Sequence, residues 1–72
     1  MAVRVGFIGA GGNANWHMDL LKDVPDAEVV AVADLDLERA EATAKKHGAV
    51  AYASHKTMLA KERLDCCYIS IP

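Results

Sequence analysis

The feature that most constrains this chain is a glycine-rich turn set between two different periodicities. Val3 to Ile8 is a short apolar run rich in β-branched residues, which reads as a buried strand better than as a helix. Gly9-Ala10-Gly11-Gly12-Asn13 then forces a turn. From Ala14 the pattern is helical: Ala14, His17, Met18, Leu21 and Val24 share one stripe, with Asp19, Lys22 and Asp23 left to solvent. Pro25 ends it, because the proline ring disfavours helical geometry at Val24, and Pro25-Asp26 supplies turn chemistry.

The same alternation continues to the end. Glu28 to Ala33 reads as a second strand. Asp36 is placed to cap a helix over Leu37 to His47, with Glu38 in its first turn, Lys45, Lys46 and His47 in its last and Gly48 closing it. Leu37, Ala40, Ala44 and His47 make its inward stripe. Val50 to Ala53 forms a short strand, Ser54 caps a third helix carrying Met58 and Leu59, and Asp65 to Ile71 forms a fourth strand before Pro72. Four strands joined by three helices predict an α/β fold: a partial doubly wound, Rossmann-type parallel sheet in the order 3-2-1-4. In that order the first and fourth strands are neighbours, the winding reverses between them, and a ligand crevice lies outside their carboxyl ends.

Seventy-two residues allow one small domain and no large enzyme core. A formal charge of -2, with 8 lysines and arginines thinly spread, leaves no basic stripe for nucleic acid. Val29 to Ala33, an unbroken apolar stretch as long as any in the chain, is far below a membrane span. The N-terminus has no signal-peptide pattern, and the expectation is a cytoplasmic chain without a membrane partner. Cys66 and Cys67 are adjacent inside an apolar run and read as buried reduced thiols; neither a disulfide framework nor a metal site is expected.

Gly9-Ala10-Gly11-Gly12-Asn13-Ala14 matches G-x-G-x-x-A, a dinucleotide fingerprint with a small residue at the third glycine. Gly9 suits the tight turn, Gly11 lets the backbone approach a pyrophosphate, and Ala14 keeps helix and strand close. The amides of Gly12, Asn13 and Ala14 open the helix toward an anion. Asp34 follows 20 residues after Ala14, at the end of the second strand, where a carboxylate accepts the ribose hydroxyls of an adenosine. Asp36 is the better helix cap and leaves Asp34 free. A carboxylate repels a 2′-phosphate, so NAD is expected over NADP unless Arg39, one turn into the next helix, offsets it. Against this stand a glycine turn with no ligand and an S-adenosylmethionine site. Asn13, where a third closely spaced glycine would be expected, disfavours the latter.

With these residues in view the chain resembles the N-terminal domain of the glucose-fructose oxidoreductase/inositol dehydrogenase (Gfo/Idh/MocA) family. The likeness runs through Val5 to Ala14 with His17, Val30-Ala31-Val32-Ala33-Asp34 with Arg39-Ala40, Lys46-His47-Gly48 before Tyr52, and Asp65 leading Tyr68-Ile69-Ser70-Ile71-Pro72. It implies an NAD(P)-dependent sugar or polyol dehydrogenase, with cofactor contacts at Gly9, Gly11, Gly12, Asn13, Ala14 and Asp34. It also implies that Ile71 and Pro72 line the nucleotide crevice. Residues 1–72 then correspond to the N-terminal part of the dinucleotide-binding domain, with the catalytic and substrate domain absent. The family's Glu-Lys-Pro motif, which carries its catalytic lysine, has no counterpart in the chain. No residue is assigned a catalytic role, and Lys45, Lys46, Lys56 and Lys61 read as solvated helix residues.

The remaining conspicuous side chains read as structural. His17 is expected to be buried and bonded to backbone, Trp16 to anchor packing, and Met18 and Met58 to fill the core. His47 and His55 are expected at the surface, and the Tyr68 hydroxyl as a satisfied polar tip. A second functional reading is a noncatalytic module: an apolar fourth strand with an unpaired edge invites self-association.

Overall fold

The run Val3–Ile8 forms strand β1 and occupies an inner position of the sheet, which explains why Val5, Gly6 and Phe7 are buried in succession. In the computed structural model, which describes residues 3–70, it is followed by α1 (Gly12–Leu21), β2 (Ala27–Ala33), α2 (Leu37–His47), β3 (Val50–Tyr52), α3 (His55–Lys61) and β4 (Cys66–Ile69). All pairings are parallel and the strand order is β3-β2-β1-β4. This is the expected Rossmann-type arrangement.

Two small cores flank the sheet. On one side Ala14 and Met18 of α1 pack with Val5, Phe7, Ala10 and Val32. On the other, Met58 of α3 packs with Val30, Ala31 and Ala33, joined by Ile8, Tyr52 and Leu64. The register of β1 against β2 slips between Val5 and Gly6, whose partners are Val29 and Ala31. That bulge turns both Val30 and Ala31 toward α3, breaking the usual alternation of faces. Gly6 serves the same side: a Cβ there would lie 2.6 Å from Leu64 Cδ1 and 3.3 Å from Met58 Cε. Arg4 clamps the chain around this core. Its Nε donates to the Arg63 carbonyl at 2.7 Å and its Nη2 lies 3.2 Å from Glu62 Oε1. Glu62 Oε2 in turn accepts the Tyr52 hydroxyl at 2.6 Å, a bond that raises the phenol above its ordinary pKa.

Helix α2 keeps its predicted limits because both ends carry strong signals. The Asp36 side chain accepts the Arg39 N–H, and Gly48 is left-handed at φ 69°. Ser54 likewise accepts the Lys56 N–H to begin α3. Elsewhere the boundaries shift. Helix α1 begins at Gly12 and ends at Leu21, where the Asp23 and Val24 amides bond back to Leu20 and Leu21 in a turn, so Val24 is exposed. Strand β2 starts one residue early, at Ala27, β3 stops at Tyr52, and β4 is confined to Cys66–Ile69.

Several side chains lie where the pattern does not put them. Cys66 and Cys67 are exposed, not buried, because β4 is the edge strand among the described residues and pairs there with β1 alone. Partial desolvation, and secondarily Cys66, raise the Cys67 thiol above its ordinary value. Trp16 is 58% exposed and does not anchor the core. His17 is half-buried, its ring 5.0 Å from both Trp16 and Tyr68, in place of the expected burial against backbone. Tyr68 stacks on Phe7 at 5.2 Å. Leu37 and Leu59 are exposed, and Thr43 takes the inward place beside Ala40 and Ala44.

His47 follows the inward stripe of α2 and not the surface place expected of a helix C-terminus. Its imidazole is only 2% exposed, and among the described residues Nε2 has no hydrogen-bond partner, Asp19 Oδ1 lying 4.0 Å away. Desolvation first, then the Lys22 charge, lower its pKa; Lys46 adds to this and Asp19 opposes it. The neutral form is the one that this corner between α1 and α2 accommodates.

Candidate functional site

In a parallel sheet the chain leaves every strand at the same edge, so the loops after β1, β2, β3 and β4 gather into one rim. They enclose a cleft of about 590 Å³ lined by Ile8, Gly9, Ala10 and Gly11, by Ala33, Asp34, Leu35 and Arg39, and by Ala53, His55 and Ser70. Its floor is knit by backbone bonds that continue the sheet past the strand ends: Gly9 N–H to Ala33 O at 2.7 Å, Asp34 N–H to Tyr52 O at 3.1 Å and Ser70 N–H to Ile8 O at 2.8 Å.

Two kinds of glycine build the first wall. Gly9 has φ 105°, a conformation that side chains rarely tolerate, so glycine there is a backbone requirement. Gly11 is different. It is extended, at φ -76° and ψ -174°, and Cβ atoms built on Gly11 or Gly12 would meet nothing within 4 Å among the described residues. Neither backbone strain nor packing among the described residues demands glycine at these two positions, and the space before them is open.

That open space leads to the start of α1. Gly11 is its cap residue and has no side chain to accept the first amides, and the first turn holds no acid. The helix therefore presents its partial positive charge and unpaired N–H groups outward. Gly12 and Asn13 are exposed there, while the Ala14 side chain is wholly buried, so only its amide belongs to the rim.

Asp34 faces this turn across the cleft, and it is not free as the sequence suggests. Its Oδ2 accepts the Ala10 N–H at 2.9 Å and its Oδ1 accepts the Asp36 N–H at 2.8 Å. One hydrogen bond per oxygen orients the carboxylate and leaves acceptor capacity on both. The glycine turn and the acid are thereby joined into a single unit.

The structure thus brings Gly9, Gly11 and Asp34 onto one cleft, with the amide ends of Gly12, Asn13 and Ala14 beside it. Ile71 and Pro72 lie outside the described residues. His55 is exposed, as expected, but also lines the cleft, as do Leu35, Ala53 and Ser70. Their signal in the sequence is position alone, one to three residues beyond a strand's carboxyl end. Asn15 carries no signal in the sequence, since a helical asparagine follows no pattern. Its Nδ2 lies 3.1 Å from Ala10 O, 3.0 Å from Gly11 O and 3.4 Å from Thr43 Oγ.

A family profile described as an oxidoreductase family with an NAD-binding Rossmann fold, Gfo/Idh/MocA, matches residues 3–72. Among curated relatives, inositol 2-dehydrogenase of Rubrobacter xylanophilus is 35% identical over 71 residues, covering 97% of this chain and 20% of that protein. Trans-1,2-dihydrobenzene-1,2-diol dehydrogenase of Mus musculus is 38% identical over 73 residues, covering 97% and 22%. The solved myo-inositol dehydrogenase of Lactobacillus casei, in complex with NAD(H) and myo-inositol, superposes with a TM-score of 0.87 at 37% identity, covering 97% of this chain and 22% of that one. The chain spans about a fifth of the length of the curated relatives it matches.

Proposed function

The chain belongs to the Gfo/Idh/MocA oxidoreductase family and carries its NAD-binding Rossmann fold, and on that premise we propose that its cleft takes the adenosine and pyrophosphate of NAD for a dehydrogenase acting on the CH–OH group of a polyol or sugar. The observation that carries this reading is the joining of Asp34 to the glycine turn through the Ala10 amide. The open ground before Gly11 and Gly12 fits a pyrophosphate.

In this reading the amides of Gly12, Asn13 and Ala14 hold the phosphates, Gly9 and Gly11 let the backbone come close, and Asp34 accepts the ribose hydroxyls. The reading also counts Ile71 and Pro72 among the cofactor contacts. When bound, the nicotinamide supplies the carbon that accepts or gives up hydride. The residues of this chain bind and orient. No lysine lines the cleft among the described residues, and Lys45, Lys46, Lys56 and Lys61 are all exposed. We assign hydride transfer and substrate choice to residues outside this chain. The inositol and dihydrobenzenediol activities named for the relatives are both CH–OH oxidations, which supports that substrate class.

NAD is favoured over NADP because the carboxylate of Asp34 opposes a 2′-phosphate; Arg39, on the same cleft, limits the preference. Titration of the chain with NADH and NADPH, followed by cofactor fluorescence, is expected to show tighter NADH binding. Asp34→Ala and Gly11→Val should each weaken NADH binding, and undiminished binding in both variants would sink the assignment.

A second reading rests on β4, which among the described residues is bonded on one side and exposes Ile69 to 66%. Such an edge can pair with another copy of the chain. Light scattering over a concentration series tests it: a mass independent of concentration and equal to one chain excludes edge pairing.

A further inference from the structure

We propose that Asn15 is the positioning residue of the glycine turn, setting the direction of its amides through their carbonyls; this rests on the nucleotide reading above. The Asn15 side-chain NH₂ donates to Ala10 O at 3.1 Å and Gly11 O at 3.0 Å, and it lies 3.4 Å from the nearly buried Thr43 Oγ of α2. Because two of these partners are carbonyls, which only accept, the amide orientation follows from the network itself.

The effect on the site comes from peptide geometry. In a trans peptide the C=O and the following N–H point in opposite directions. Holding Ala10 O against Asn15 therefore turns the Gly11 N–H away from it, and holding Gly11 O does the same for the Gly12 N–H. Gly11 O also accepts the Asn15 backbone N–H at 3.0 Å, the first bond of α1. Gly12 takes its conformation from α1, and Gly11 O is held by the first bond of that helix. The Asn15 side chain reinforces Gly11 O and adds a hold on Ala10 O that the helix does not supply, which fixes the direction of the Gly11 N–H.

Thr43 gives the clamp a fixed base. The contact ties the turn to α2, the helix whose start is linked to Asp34 through the Asp36 amide. Ala10 is consequently held at both ends, its N–H by Asp34 and its C=O by Asn15. An asparagine in the first turns of a helix costs helix propensity relative to alanine; here its donors serve the turn behind it.

The test separates the pyrophosphate end of the site from the ribose end. Adenosine and ADP-ribose are titrated into the full chain by NMR, for wild type, Asn15→Ala and Thr43→Val. ADP-ribose affinity is expected to fall roughly tenfold in Asn15→Ala and about twofold in Thr43→Val, with adenosine affinity within about twofold of wild type. An unchanged ratio of the two affinities in Asn15→Ala, or an equal loss for both ligands, overturns the proposal. In wild type alone, the Asn15 side-chain amide signals should shift with ADP-ribose and stay in place with adenosine; signals that move with neither overturn it without any variant. A wild-type chain that binds neither ligand overturns the nucleotide reading as well, whereas normal binding with an unmoved Asn15 overturns only this one.

Discussion

Helices α2 and α3 begin by closing on themselves, through Asp36 and Ser54, whose side chains accept amides of their own first turns. Helix α1, from the same sheet edge, begins at Gly11 with nothing of the kind. Capping by Ser, Asp or Asn satisfies donors that otherwise face water, and replacing such a cap by Ala costs about 1 kcal/mol. Two helix starts thus serve stability. The third leaves its donors available, beside a carboxylate held in place and a cleft of about 590 Å³. Where a cap is missing beside a concave surface, the missing partner is a candidate ligand.

The sharpest way to break this contrast is to give α1 a cap of its own. Gly11→Asp fits the extended backbone and should alter stability by no more than a few tenths of a kcal/mol. Its carboxylate would occupy the anion position, and NADH affinity should fall on the order of 100-fold, about 3 kcal/mol. Fluorescence titration beside thermal melting reads both quantities. Gly6→Val is the converse experiment. Its side chain would enter the space held by Leu64 and Met58, so a loss of about 2 kcal/mol in denaturant unfolding is expected, with cofactor affinity unchanged in the folded fraction. Asp36→Ala opens the start of α2 and should cost about 1 kcal/mol while creating no new anion affinity, since no glycine ground lies before it.

The smallest effect is expected at the far end of the same helices. The folded-state pKa of His47 is depressed below its ordinary 6.5. The unfolded chain therefore binds more protons in the interval between the two values, and stability rises with pH there. The contribution is present above 6.5 and is lost as pH falls through the lowered folded value. Urea unfolding at stepped pH should show this slope in wild type, and His47→Gln should flatten it.

Much of this architecture is legible from residue order, and the reasons differ by element. Helix α2 is readable to the residue because Asp36 and Gly48 act locally. The strand order follows from the alternation of periods together with the handedness of crossovers. What escapes depends on contacts distant in sequence. Cys66 and Cys67 sit in an apolar run, yet their exposure follows from β4 lying at the sheet edge. His47 ends a polar turn on the inward stripe of α2, but that Asp19 and Lys22 are its neighbours follows only from the fold. Gly6 looks like a weak strand residue until Leu64 is seen folding back onto it. At the site, the spacing of Gly9, Gly11 and Asp34 is visible in the sequence. That the acid bonds the Ala10 amide, and that Asn15 holds the carbonyl of the same residue, follows only from the folded turn.

Ala10 fastened at both its N–H and its C=O has a kinetic consequence. The turn reaches its working shape when the domain folds, and little ordering remains for the moment of encounter. Association of a nucleotide should then be governed by diffusion and orientation, without a slow rearrangement step. Differences in affinity among related ligands would accordingly appear in how long each stays rather than in how fast each arrives.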